Sequence, residues 1–97
     1  MAYQDPKKVD SPRGRWRLIE VLWDGGADED SLAIGMWDDS PVLAMRWNGS
    51  AKEGVGHPQS RGLPTWFVLP EWSYGGVLEK AKLEKQVLGR AKAILGL

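Results

Sequence analysis

The chain has no cysteine, which excludes disulfides and thiolate metal sites, and its single histidine, His57, leaves too little imidazole for a transition-metal centre. It has no apolar run near the roughly 20 residues that a membrane-spanning helix needs. The opening residues Met1-Ala2-Tyr3-Gln4-Asp5-Pro6-Lys7-Lys8 carry no apolar stretch of the secretory kind. A cytoplasmic protein with no membrane attachment is expected, and Asn48-Gly49-Ser50 is then a turn and not a glycosylation site. Net charge is absent as well: 13 basic side chains stand against 13 acidic ones.

Phenylalanine and tyrosine are scarce, with one and two copies, but there are six tryptophans among only 97 residues. Each aromatic can bury roughly 150 to 250 Å². The chain forms one domain at most, and domains of this size bury only about 60 to 70% of their unfolded surface. Not all six indoles can therefore be central. The neutral total also conceals an uneven distribution. Residues 1 to 23 carry five basic and three acidic groups, residues 24 to 40 six acidic and no basic, and residues 41 to 97 eight basic and four acidic. This pattern fits ordinary solvated faces, or a basic face holding Arg46, Lys52 and Arg61.

Residues 1 to 14 place Pro6, Pro12 and Gly14 among polar groups with no hydrophobic period, and are expected to form a mobile tail ahead of a single domain at 15–97. From Arg15 to Trp23 the β-branched and aromatic content predicts a strand ended by Asp24-Gly25-Gly26. Residues 31–37 set Leu32, Ile34 and Met36 against the small Ala33 and Gly35, a period of two. Residues 42–47 resume the alternation after the turn formers Asp38-Asp39-Ser40-Pro41, so the second and third strands predict a hairpin. A fourth strand is expected at 65–69, stopped by Pro70, which has no amide hydrogen to donate.

Beyond Gly76 the period changes. Val77, Leu78, Ala81, Leu88, Ala91 and Leu95 recur at helical spacing and predict one amphipathic helix over about 77–95, with Gly89 marking a bend or a close contact. The result is an α+β domain, a four-stranded antiparallel sheet with one face covered by a C-terminal helix. One helix covers only part of such a sheet. Homodimerisation through the helix, whose tail runs Ala91-Lys92-Ala93-Ile94-Leu95-Gly96-Leu97, would bury some of the remainder. Between the third and fourth strands lie 17 residues, Asn48 to Pro64, with no predicted secondary structure. Connections of that length usually carry function or are disordered.

Catalytic patterns are weak. Ser60 as nucleophile with His57 as base would stand on a Gly- and Pro-rich loop, whereas catalytic groups need placement to within about half an ångström. Asp24, Asp28, Glu29 and Asp30 lack the spacing of a calcium loop, and Gly54-Val55-Gly56 lacks the Gly-Lys-Ser ending of a phosphate loop. No catalytic residue, metal site or cofactor is expected, and the chain reads as a non-enzyme. Nucleic-acid binding has more material. Single-stranded binders pair backbone-neutralising Arg and Lys with aromatic platforms worth about 1 to 3 kcal/mol per stacked base. Arg46, Trp47, Lys52, Arg61 and Trp66 offer both, and Arg15 and Arg17 flank Trp16 on the first strand. A Trp on a strand is more often core than a stacking platform, and alternation sets Arg46 opposite Trp47 and Trp66 opposite Phe67 across the sheet.

Ser31-Leu-Ala-Ile-Gly-Met-Trp, then Pro41-Val-Leu-Ala-Met-Arg-Trp-Asn-Gly, then Arg61-Gly62, a strand and a helix resemble the positive cofactor four family of transcriptional coactivators, over about residues 31 to 90. The resemblance implies four antiparallel strands, a dimer formed through the helix and single-stranded DNA gripped on the curved sheets. It would match Trp47-Asn48-Gly49 to the turn, and Arg61-Gly62 to the pair before the last strand, that recur in bacterial and phage relatives. A small single-stranded DNA-binding protein with a transcription-related, regulatory role is the expectation. The alternative is a protein-interaction module of the same fold, whose acidic turn and exposed Trp residues meet a partner protein.

Overall fold

A computed structural model describes residues 4–97. Four strands, β1 (Trp16–Asp24), β2 (Asp30–Trp37), β3 (Ser40–Trp47) and β6 (Phe67–Val68), form one antiparallel sheet in the order β1-β2-β3-β6. β2 and β3 pair without interruption from Asp30 opposite Trp47 to Trp37 opposite Ser40. Their loop is Asp38-Asp39, with φ of +48° and +70°. Positive φ at both central positions is the mirror-image turn whose twist matches a hairpin, and Asp adopts it more readily than most residues. The expected α+β class and the β2–β3 hairpin are therefore present.

β1 is less regular. Its pairing with β2 shifts between Leu18 and Glu20 and again between Val21 and Trp23. These bulges bring Leu22 into the core beneath the helices and set Trp23 opposite Leu32, so the strand has no simple alternation.

The fourth strand is shorter than the expected 65–69: only Phe67 and Val68 pair with β3, and the Leu69 amide adds one bond to the Leu43 carbonyl at 2.9 Å before Pro70 ends the ladder. The preceding loop is not structureless. It contains a small ribbon, β4 (Gln59–Ser60) paired with β5 (Leu63–Pro64), and His57 exchanges two backbone hydrogen bonds with Trp47 at 2.7 and 3.0 Å.

The single expected helix is two, α1 (Tyr74–Lys80) and α2 (Lys85–Leu95). The break falls at Lys82, whose φ is +54°, and not at Gly89, which lies inside continuous α2 with open space around it. α2 closes on Gly96 at φ +76°, with the Leu97 amide reaching back to the Lys92 carbonyl at 2.8 Å. No helix among the described residues is long and apolar enough to cross a membrane.

Both faces of the sheet are covered. Leu22, Leu32, Ile34 and Leu43 meet Tyr74, Leu78 and Ala91 on the helical face, with Ile94 and Leu95 packed at its border. The opposite face carries Trp16, Ala33, Ala44, Trp66 and Val9. Val9 belongs to the segment expected as a mobile tail. From residue 4 onward that segment is instead packed: Pro6 and Val9 are buried, and the Gln4 amide donates to the Asn48 carbonyl at 2.8 Å. Residues 1 to 3 of the expected tail lie outside the described residues.

Candidate functional site

Alternation along β3 sends Arg46 and Trp47 to opposite faces, in the reverse sense to a nucleic-acid platform. Arg46 is only 1% exposed. Its Nη1 donates to the carbonyls of Thr65 and, at 3.3 Å, Pro58, and its Nη2 donates to the carbonyl of Val55. The guanidinium thus gathers three separate points of the long loop. Burial draws its pKa down to about 10, so the group stays protonated at neutral pH. Beside it, Asn48 is fully buried: its Nδ2 donates to the Asp24 carboxylate at 3.2 Å and the Gly26 carbonyl at 2.9 Å, and its Oδ1 accepts from Ser31 Oγ at 2.7 Å. Trp47-Asn48-Gly49 is held as a structural corner between the acidic turn and the loop.

Trp66 is also in the core, its ring stacked on Trp16 with centroids 5.9 Å apart. Arg46 and Trp66 are therefore corrected from nucleic-acid contacts to structural residues. The interleaving of basic and aromatic residues does not reveal burial, and that of Trp66 follows from the N-terminal segment packed on it. Arg15 and Arg17 remain exposed, but Arg15 pairs with Asp38 at 2.6 Å and lies over the Trp37 ring at 5.0 Å. With Arg13, they line a cavity that also contains Asp10, Asp38 and Asp39, so three cations face three carboxylates. Lys52 and Arg61 are exposed on turns of the loop.

Of the seven candidate contacts, only Trp47 joins a coherent exposed surface. One cross-strand row runs Trp23, Leu32, Met45, Phe67 across all four strands of the sheet, and Trp47 lies in the next row of the same face, opposite Asp30. Trp23, Trp47 and Phe67 are 48%, 50% and 55% exposed. The helices cover Leu32 and part of Met45 and leave the three aromatics exposed.

Two depressions meet at Met45. One, of about 410 Å³, lies between Trp23, Leu32, Met45 and the Val77–Ala81 end of α1; the other, of about 230 Å³, lies between Met45, Trp47, His57, Pro58 and Phe67. Trp23 Nε1 donates to Asp30 at 3.3 Å, which anchors that indole at the rim.

Sequence reasoning missed Trp23 and Phe67. The signal for Phe67 was its alternation with Trp66, once Trp66 is known to face inward. Trp23 had no such signal, because two bulges separate it from the readable part of β1.

The rim of this surface is acidic. Asp30 and Lys80 line the first depression, and Asp28 and Glu53 line a third one on the other side of Trp47 and His57. The end of the sheet that holds Arg13, Arg15 and Arg17 is remote: Arg17 pairs opposite Met36 and Trp47 opposite Asp30, six residues apart along β2, or about 20 Å at the rise of a strand. Fold and surface together define a small α+β domain that presents an aromatic strip within a carboxylate rim. No protein-family model, curated protein or solved structure matches the chain.

Proposed function

We propose that the protein is a non-enzymatic interaction module that docks an apolar, positively charged segment of a partner protein along the Trp23–Met45–Phe67 row and Trp47. The exposed aromatics Trp23, Trp47 and Phe67 carry this reading. Large aromatics and Met are the side chains enriched in the centres of protein interfaces, and a contiguous exposed apolar patch marks an interaction surface more often than a scattered one. Asp28, Asp30 and Glu53 at the rim favour a cationic partner, steer its approach and repel polyanions. The same carboxylates weigh against the single-stranded DNA reading, because stacking platforms need cations beside them and here Arg46 is enclosed behind the sheet.

The test is a pair of titrations followed by Trp emission at several salt concentrations. One uses a peptide of alternating Leu and Lys, the other a single-stranded oligonucleotide. The module reading expects saturable, salt-weakened binding of the peptide, abolished by Trp47→Ser, and no response to the oligonucleotide at low salt. Binding of the oligonucleotide but not the peptide would restore nucleic-acid recognition and remove the module.

A further inference from the structure

Trp47 stands between two unlike depressions. On one side lies the apolar pocket closed by Met45, Pro58 and Phe67; on the other, a cavity of about 310 Å³ is lined by Asp28, Glu53, Gly49, Gly56 and the shared walls Trp47 and His57. From this arrangement we infer that the second cavity is a cation subsite, which takes the guanidinium or ammonium of a partner Arg or Lys while a neighbouring apolar side chain of the partner fills the first pocket. The inference rests on the docking role proposed above and assigns the position of the positive charge within it.

Two kinds of group converge on the cavity, and both attract cations. Trp47 lines the cavity, and an indole attracts a cation placed over its ring. Asp28 and Glu53 supply carboxylates. Both are exposed, and the ion pairs among the described residues, Arg15–Asp38 and Arg90–Glu20, involve neither.

The frame that holds these groups is rigid. The Asp28 amide donates to the Gly49 carbonyl at 2.9 Å, which fixes the acidic turn against the loop. Ser50 and Gly54 exchange backbone bonds at 3.0 and 2.8 Å, and Ser50 Oγ accepts from the Lys52 and Glu53 amides at 3.2 and 3.0 Å, so the start of the Glu53 side chain is set.

Gly49 and Gly56, both at positive φ, let the two backbones touch. A Cβ on Gly56 would lie 2.0 Å from the Trp47 carbonyl oxygen, and one on Gly49 would lie 2.1 Å from that of Gly54. The cavity floor is therefore bare backbone, and its charged walls come from the two sides. A preorganised cavity of this kind binds with little ordering cost.

Occupancy of both pockets at once sets a pattern for the ligand. An extended partner segment places alternate side chains on one face, so the cation and the apolar anchor belong at positions i and i+2, straddling Trp47.

The experiment uses the full chain and three synthetic peptides: Ac-Gly-Leu-Ser-Arg-Gly-amide, the same peptide with citrulline for Arg, and the same peptide with Ser for Leu. Citrulline keeps the shape of Arg and removes its charge. The inference expects the Arg peptide to bind about tenfold more tightly than the citrulline one, consistent with a cation–π contact plus carboxylates. Asp28→Asn and Glu53→Gln should each erase most of that difference while leaving the melting temperature unchanged, Asn being tolerated at the +62° φ of residue 28.

Equal binding of the Arg and citrulline peptides would overturn the cation subsite and leave the docking surface standing. If the Arg peptide and the Leu–Lys peptide both fail to bind, the docking reading falls and the subsite with it.

Discussion

The indole Nε1 of Trp66 donates to the backbone carbonyl of Val9 at 2.8 Å, a bond between residues 57 positions apart inside the outer face of the sheet. It makes the N-terminal segment a structural part of the domain. Deleting residues 1 to 13 would expose Trp66 and Trp16 to water and remove this bond, a loss of about 0.5 to 1.5 kcal/mol for the hydrogen bond and about 1.5 to 3 kcal/mol for the burial of Val9. A chain with an ordinary stability of about 5 to 15 kcal/mol would be strongly destabilised by this. Urea unfolding of the truncated and full chains measures the difference; equal midpoints would contradict the packed arrangement.

Gly35 is where Trp16 fits into the sheet. A Cβ at residue 35 would meet the Trp16 ring at 2.2 Å, so Gly35→Ala should cost about 1 to 3 kcal/mol by overpacking. Adding Trp16→Leu should restore part of that loss, because the clashing ring atoms are gone. A double-mutant cycle in urea tests the coupling, and purely additive effects would argue against the contact.

Arg46→Met removes the donors that hold the carbonyls of Val55, Pro58 and Thr65 together. The expected destabilisation is at least ~2 kcal/mol, with faster proteolysis confined to residues 48–65. Arg46→Lys should fall between the two, since a compact ammonium cannot span the same fork. Arg46 itself should add no slope to stability across pH 5 to 9. Its folded value of about 10 lies below the ordinary arginine value, so the two states bind different numbers of protons only above that window, where stability from this group rises with pH.

The exposed Arg15–Asp38 pair gives a dependence of the same sign in the acid range. The hydrogen bond from Arg15 holds the Asp38 carboxyl below its ordinary value of 3.8. A depressed acid contributes stability in full above the unfolded value and loses it as pH falls through the folded one. Asp38→Asn, which tolerates the positive φ of the turn, should lower the urea midpoint slightly at pH 6 and by progressively less as pH falls below 3.8. Added salt should shrink the difference at pH 6. A difference that persists at the lowest pH would assign the effect to the turn and not to the charge.

The parts of the fold that follow local rules were legible. β2 and β3 alternate cleanly because each has one face under the helices and one under Trp16 and Trp66, and Asp38-Asp39 is a turn by its residue types alone. Three features were not legible because their causes are non-local. The bulges in β1 redirect Leu22 and Trp23 through pairing with β2, the N-terminal segment looks unstructured until a groove beside Trp66 receives it, and Arg46 is charged yet buried because distant carbonyls converge on it. The candidate site was legible only at Trp47. Its companions Trp23 and Phe67 come from strands 44 residues apart, and nothing in either local sequence points to the other.

The division of the indoles between interior and surface gives this protein an internal optical gauge. Trp16 and Trp66 are shielded, whereas Trp23 and Trp47 are half open to water and Trp72 is 86% exposed. A soluble quencher such as acrylamide will reach the second group in the folded state and the first only when the sheet comes apart. Ligand occupancy and unfolding can therefore be followed in one cuvette as two separable emission changes, without any attached dye.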